Sequence, residues 1–255
     1  LDDRVDRLLP AAGHAGVDDP DLVRLYDFPA DLRRPWVKVN FIASADGAVS
    51  LGGRSSGLGD ANDKKIFRLG RALADVILVG AQTALIERYR GVRPDELPGA
   101  LRAEKGLAAV PPIAVVTARA SIEPHSPLVT KAVTPTVVFT TESAPAERRA
   151  ALADAGADVV VAGDRTVDLA AVLDELDRRG LRRVCCEGGP HLLGSLIADG
   201  LVDELDLSVA PLLVGGDAGR IATGPLPADA TKLRLASVLH ADHMLMLRYL
   251  TERTD

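Results

Sequence analysis

The sequence predicts a three-layer α/β fold: a mixed, mainly parallel central sheet with antiparallel C-terminal strands and helices on both faces. Three observations predict it. Short apolar runs alternate with amphipathic helix-length segments through the middle of the chain, as in parallel strands joined by crossing helices. Val76–Val79 is apolar at every position, as a strand covered on both faces is. The tail, Lys232–Leu250, instead reads as two long strands with a turn near His240–His243, an antiparallel ribbon. No stretch dense in Pro, Gly or Ser divides residues 35–255, which are expected to form one domain behind an N-terminal extension over residues 1–34.

Each element has a local reason. Within the polar, Pro-containing extension, a short helix fits near Asp21–Tyr26. WVKVNFIA, Trp36–Ala43, is rich in β-branched and aromatic residues and reads as a buried strand. Ser44–Asp60 holds five glycines and no periodicity, so it is a long loop of the functional kind. Asp60 or Asn62 can cap the next helix, whose Ile66, Leu69, Gly70 and Leu73 form one stripe. DVILVG is a strand, and residues 81–111, carrying Arg88, Arg90, Arg93 and Arg102, read as charged and irregular. PIAVVT, TVVFTT and DVVVAG are further strands, with a helix at Pro145–Ala155 before the third. Leu169, Val172, Leu173 and Leu176 mark a helix closed by Gly180. RRVCCE is a strand, Pro190–Asp199 a helix ended by Gly200, and ELDLSVAPLLVGG a strand running into a loop.

Composition excludes several functions. Among 255 residues, 30 basic against 36 acidic side chains give a net charge of −6, which offers no general attraction for nucleic acid or anionic lipid. Aromatics are 3%, too few for base-stacking platforms. The apolar runs fall far short of the roughly 20 residues of a membrane span, and Leu1–Pro10 lacks the pattern of a secretory signal. The two cysteines, Cys185 and Cys186, are adjacent on a strand and point to opposite faces, so a disulfide between them is not expected. No C-x-x-C occurs, and His240 and His243 fit a turn better than a metal, so no metal is expected. A cytoplasmic location follows as the expectation.

The chemistry lies at the ends of strands. Glu187-Gly188-Gly189 joins a strand to a helix with Pro190 at its start. The glycines admit a diphosphate close to the backbone, and the helix N-terminus favours its charge; a plain bend would use the same residues. Gly80 and Thr83 in VGAQT, Thr117 and Arg119 in TARA, and Thr140 in FTTES repeat the pattern of polar groups after an apolar strand. Open α/β sheets bind ligands outside such carboxyl ends. Taken singly, Thr83 is equally a helix cap and Arg119 a solvated cation. Asn40 shares a strand face with Ile42 and Ser44, where an amide needs partners, and Asp46-Gly47 suits a turn. No dinucleotide fingerprint, P-loop, H-E-x-x-H or G-x-S-x-G is present.

As a set, PWVKVNFIASADG, RALADVILVGAQT, PIAVVTARA, FTT and CCEGGPHLLGSLIADGLVDELDLSVAPLLVGG resemble the reductase domain of riboflavin biosynthesis over roughly residues 35–250. The resemblance implies the dihydrofolate reductase-like fold, a homodimer, and NADPH-dependent hydride transfer to C1′ of the ribosyl group of 5-amino-6-(5-phosphoribosylamino)uracil. It places Gly188, Gly189, Gly80 and Thr83 at the cofactor, with Ser44 and Thr140, and sets Thr117 and Arg119 at its adenosine end. Asn40, Asp46 and Glu187 fall near the reacting atoms. Where the family runs on to Asp-Asp-Pro, this chain has Glu87-Arg88-Tyr89; Glu87, with Arg90 and Arg93, is expected at the substrate. No deaminase signature occurs, so a stand-alone reductase is expected. A reductase of the same fold acting on another heterocycle such as dihydrofolate, or a non-catalytic NADPH-binding protein, would carry much of the same pattern.

Overall fold

The structure, a computed structural model, describes residues 6–9 (backbone only) and 16–252; the rest of the 1–34 extension reading lies outside the described residues. Ten strands form one sheet in the order β1-β9-β10-β8-β2-β7-β3-β4-β5-β6. The strands are β1 (Asp6–Leu9), β2 (Trp36–Ser44), β3 (Val76–Gly80), β4 (Ile113–Val116), β5 (Val137–Thr140), β6 (Asp158–Val161), β7 (Arg183–Cys186), β8 (Glu204–Ala210), β9 (Leu233–Ala241) and β10 (Met244–Thr251). From β8 through β2 and on to β6 every pairing is parallel. β10 on β8, β9 on β10 and β1 on β9 are antiparallel. The mixed sheet is thus the predicted one, and residues ahead of the predicted domain add to its edge.

The two faces follow from the two-residue period of strands. Val76, Leu78, Val184 and Cys186 face α7 (Leu169–Arg178) and α8 (Pro190–Ala198), meeting Val172, Leu176, Leu193 and Leu196. Ile77, Val79, Ile113 and Val115 face the other way, onto Ala81 and Ala84 of α3 (Ala81–Ile86) and Leu152 of α6 (Ala146–Asp154). Cys185, pointing opposite to Cys186, packs with Leu22 and Tyr26 of α1 (Asp19–Tyr26) and Ile66 and Leu73 of α2 (Ala61–Leu73). Both thiols are free and buried, and burial holds both pKa values high. Asp60 caps α2, accepting from the N–H groups of Asn62 at 2.8 Å and Asp63 at 2.9 Å. Asp242 and His243 form the tip of the β9–β10 hairpin, both with positive φ.

Residues 81–111 correct the irregular reading. They hold α3, a short 3₁₀ turn at Pro94–Glu96 and α4 (Gly99–Glu104). Six-residue helices are too short to show a stripe in sequence, and they stand on tertiary contacts. α4 is anchored by Arg102, which is fully buried and donates to the carbonyls of Arg71 at 3.1 Å, Ala72 at 3.0 Å and Ala74 at 2.9 Å. Those carbonyls lie at the C-terminal end of α2, where a cation is favoured.

Candidate active site

β7 and β3 are neighbours, yet the helices that follow them leave to opposite faces: α8 packs on one side of the sheet and α3 on the other. Such a switch point opens a crevice at the carboxyl ends of the strands. A cavity of about 450 Å³ lies there, lined by Gly80, Thr83, Thr117, Arg119, Ser121 and Gly189, with α8 along one wall. Gly189 is the N-cap of α8 and has no side-chain cap, so the first-turn N–H groups of the helix lack that partner. A Cβ on Gly189 would come within 2.1 Å of Thr83 Oγ1, and one on Gly188, where φ is +79°, within 2.5 Å of the Phe41 ring. At Gly188 the positive φ and the ring together call for glycine, and at Gly189 the bare backbone lies against Thr83 at the cavity wall. Thr117 is buried and bonded to Ser121, Oγ to Oγ at 3.0 Å, which fixes its hydroxyl at the rim; Arg119 is exposed beside it.

A second cavity, about 370 Å³, adjoins the first: Thr83, Gly189 and Pro190 line both. Its wall includes Asn40, Phe41, Asp63, Phe67, Glu87, Tyr89 and Glu187. Glu187 is buried and clamped by three donors. Arg71 Nε and Nη2 give a bidentate pair at 2.6 and 2.7 Å, and the Tyr89 hydroxyl donates to Oε2 at 2.5 Å. The Arg71 guanidinium also lies 4.6 Å from the Phe67 ring centre and 5.3 Å from that of Tyr89. Burial opposes the Arg71 charge, but Glu187 outweighs it and the pKa is raised. Burial, then the Glu187 carboxylate, pushes the Tyr89 phenol well up, so it is a neutral donor at physiological pH. Glu87 ties the glycine-rich loop to the end of α3, accepting from the Ser55 N–H at 2.9 Å and its hydroxyl at 3.0 Å.

Other sequence-predicted residues sit elsewhere. Arg90 and Arg93 line neither cavity; Arg90 pairs with Glu96, and Arg93 lies 3.3 Å from Asp95. Thr140 is fully buried in β5 and outside both cavities. Ser44 is likewise buried, donating to Asp46 and accepting from the Ala48 N–H at 2.8 Å, a turn bond rather than a cofactor contact. Asp46 lines a separate hollow with Gly47, Gly215 and Arg220. Its carboxylate accepts from Ser44 and from the N–H groups of Gly215 at 2.7 Å and Val214 at 3.1 Å, which hold its pKa down at about 2. A carboxylate held in its ionised form by such bonds is a poor proton donor near neutral pH. Arg71, Phe67 and Asp63, all on α2, escaped the sequence reading. Their i, i+4 spacing was visible, but it carries no mark of a site until β7 brings Glu187 beside it.

Residues 35–247 match the family model of the RibD C-terminal domain. The chain is 35% identical over 222 residues to the 2,5-diamino-6-ribosylamino-4(3H)-pyrimidinone 5′-phosphate reductase of Methanothermobacter thermautotrophicus, covering 85% of this chain and 98% of that one. Among solved structures, a pyrimidine reductase-like protein of Corynebacterium diphtheriae superposes with a TM-score of 0.77 at 27% identity, over 86% of this chain and 93% of that one. The riboflavin biosynthesis reductase of Saccharomyces cerevisiae shares the fold, with a TM-score of 0.66 at 17% identity over 91% and 99% of the two chains.

Proposed function

The chain belongs to the RibD C-terminal domain family, and from that premise we propose that it is an NADPH-dependent pyrimidine reductase of riboflavin biosynthesis. The substrate is 2,5-diamino-6-ribosylamino-4(3H)-pyrimidinone 5′-phosphate, the compound in the name of the Methanothermobacter relative. This replaces the corresponding uracil as the first choice. One observation carries the reading: Thr83, Gly189 and Pro190 line both cavities, so a cofactor in the first meets a substrate in the second at Gly189.

The first cavity fits a dinucleotide on its own features. It has a glycine wall that a Cβ would fill, an uncapped helix N-terminus for a diphosphate, and Arg119 beside Thr117 for a 2′-phosphate. When bound, NADPH supplies the hydride for C1′ of the ring-opened ribosyl group. The protein's part is to position the reactants, and the attached nitrogen takes up a proton. The Arg71–Glu187–Tyr89 cluster fixes the charge at the wall of the second cavity, and with Glu187 held as a carboxylate by Arg71 the proton comes from water. Phe41 and Phe67 give the second cavity apolar walls. A homodimer is part of the same proposal, checked by sedimentation of the purified chain.

The test is NADPH oxidation by the purified protein with the diaminopyrimidinone and, separately, with 5-amino-6-(5-phosphoribosylamino)uracil. We expect turnover to a ribityl product, faster with the first. No oxidation with either compound overturns the reading.

A further inference from the structure

The two candidate pyrimidines differ at C2, which carries an amino group in one and a carbonyl oxygen in the other, and with it at N1, an acceptor in the first and an N–H in the second. On the diaminopyrimidinone, the C2 amino group and the neighbouring ring N–H are two in-plane donors side by side. A carboxylate takes such a pair bidentately, with both bonds strengthened by charge. On the uracil, one donor is replaced by an acceptor, which a carboxylate repels.

Among the described residues, three carboxylates line the second cavity: Glu187, Glu87 and Asp63. Glu187 is held through both oxygens by Arg71 and Tyr89, and Glu87 is engaged in clamping Ser55. Asp63 is placed differently. It lies in the first turn of α2, half-buried at the cavity wall, with the Ser208 hydroxyl of β8 near enough to favour its charged form. Ser208 pairs in register with Ile42, two residues along the same face of β2 from Asn40, which also lines the cavity. Gly59 makes room for the carboxylate, since a Cβ there would stand 2.5 Å from Asp63 Oδ2. Asp206, the register partner of Asn40, is fully buried and does not line the cavity.

We propose that Asp63 is the specificity-determining residue that reads the C2 substituent of the pyrimidine, accepting from the 2-amino group and the adjacent ring N–H. The proposal rests on the pyrimidine-reductase reading above and goes beyond it by naming the group that tells the two compounds apart. Burial raises the Asp63 pKa, with the Ser208 hydroxyl and Lys64 opposing, so the pocket costs the carboxylate something that a donor pair from the ligand offsets. A site built to accept hydrogen bonds rejects an analogue lacking the donors far more strongly than an apolar pocket rejects a size change.

The test measures dissociation constants by titration calorimetry, and kcat and KM with NADPH, for both pyrimidines on the wild type and on Asp63→Asn. The asparagine keeps the shape and offers an N–H to the C2 oxygen. The wild type should bind the diaminopyrimidinone about tenfold or more tightly than the uracil. Asp63→Asn should lose about tenfold or more on the diaminopyrimidinone, chiefly in KM, and hold or gain affinity for the uracil. Retained uracil binding shows that the variant is folded; Asp63→Ser serves in its place if it is not. An equal loss on both compounds, or no loss on either, overturns the assignment to Asp63 and leaves the reductase reading standing. Discriminating binding without NADPH oxidation overturns the reductase reading and leaves Asp63 as the reader of C2.

Discussion

The two cavities that meet at Gly189 are built on different principles. The first is walled largely by backbone: Gly80 and Gly189, a helix N-terminus, and short hydroxyl side chains after β3 and β4. The second is walled by side chains from β2, the glycine-rich loop, α2, α3 and β7, knit by Arg71–Glu187–Tyr89 and Glu87–Ser55. A backbone site recognises what all ligands of its class share, which under the proposed function is a diphosphate. A side-chain site can be altered residue by residue, and here Tyr89 donates to Glu187.

That contrast can be broken at either cavity. The largest effect is expected from Gly189→Val, whose Cβ would strike Thr83 Oγ1. NADPH binding should be lost in a titration while the protein still melts cooperatively; normal affinity would show that the glycines serve only the bend. Arg71→Met comes next. It leaves the Glu187 carboxylate buried with Tyr89 alone, and removing one partner of a buried ion pair costs about 3–5 kcal/mol. Chemical denaturation should report a loss near that range, discounted for the partial exposure of Arg71. A loss below about 1 kcal/mol would mean that the pair contributes little to holding the second cavity.

Smaller effects sharpen the comparison. Arg119→Ala should weaken NADPH about tenfold, the scale of a charged hydrogen bond, and leave NADH nearly unchanged. Equal losses on both cofactors would take Arg119 off the 2′-phosphate. Asp46→Asn should have the least effect on turnover, with kcat kept within about threefold, where loss of a general acid would cost about 10²-fold. The Asp46 pKa falls from 3.8 to about 2 on folding, so its contribution to stability is present above pH 3.8 and fades as pH drops through about 2. The difference in Tm between wild type and Asp46→Asn should therefore shrink over that window; a difference that grows on acidification would contradict the bonds to Ser44, Val214 and Gly215.

The sequence by itself determined the sheet, its parallel centre and antiparallel ribbon, and the helices with a full apolar stripe, because two- and 3.6-residue periods are local properties of the chain. It also singled out Gly80, Thr83, Thr117, Arg119 and Gly189, which line one cavity, since each follows an apolar run and parallel strands bring such ends together. Only the tertiary structure decided the rest. α3 and α4 are too short to show periodicity and exist through contacts such as Arg102 on the end of α2. The partners of Glu187 are 116 and 98 residues away in sequence, so nothing local marks Arg71 or Tyr89 as its clamp. Asp46 reads in sequence as an acid near the reaction and becomes, through the two N–H groups of a loop some 170 residues on, a fixed anion of a turn. Asp63 looks like any acidic residue in the first turn of a helix until β8 and β2 close one side of it and a cavity the other. Charge and hydrogen bonding take their meaning from neighbours, and in a sheet with crossing helices those neighbours are set by topology rather than by sequence distance.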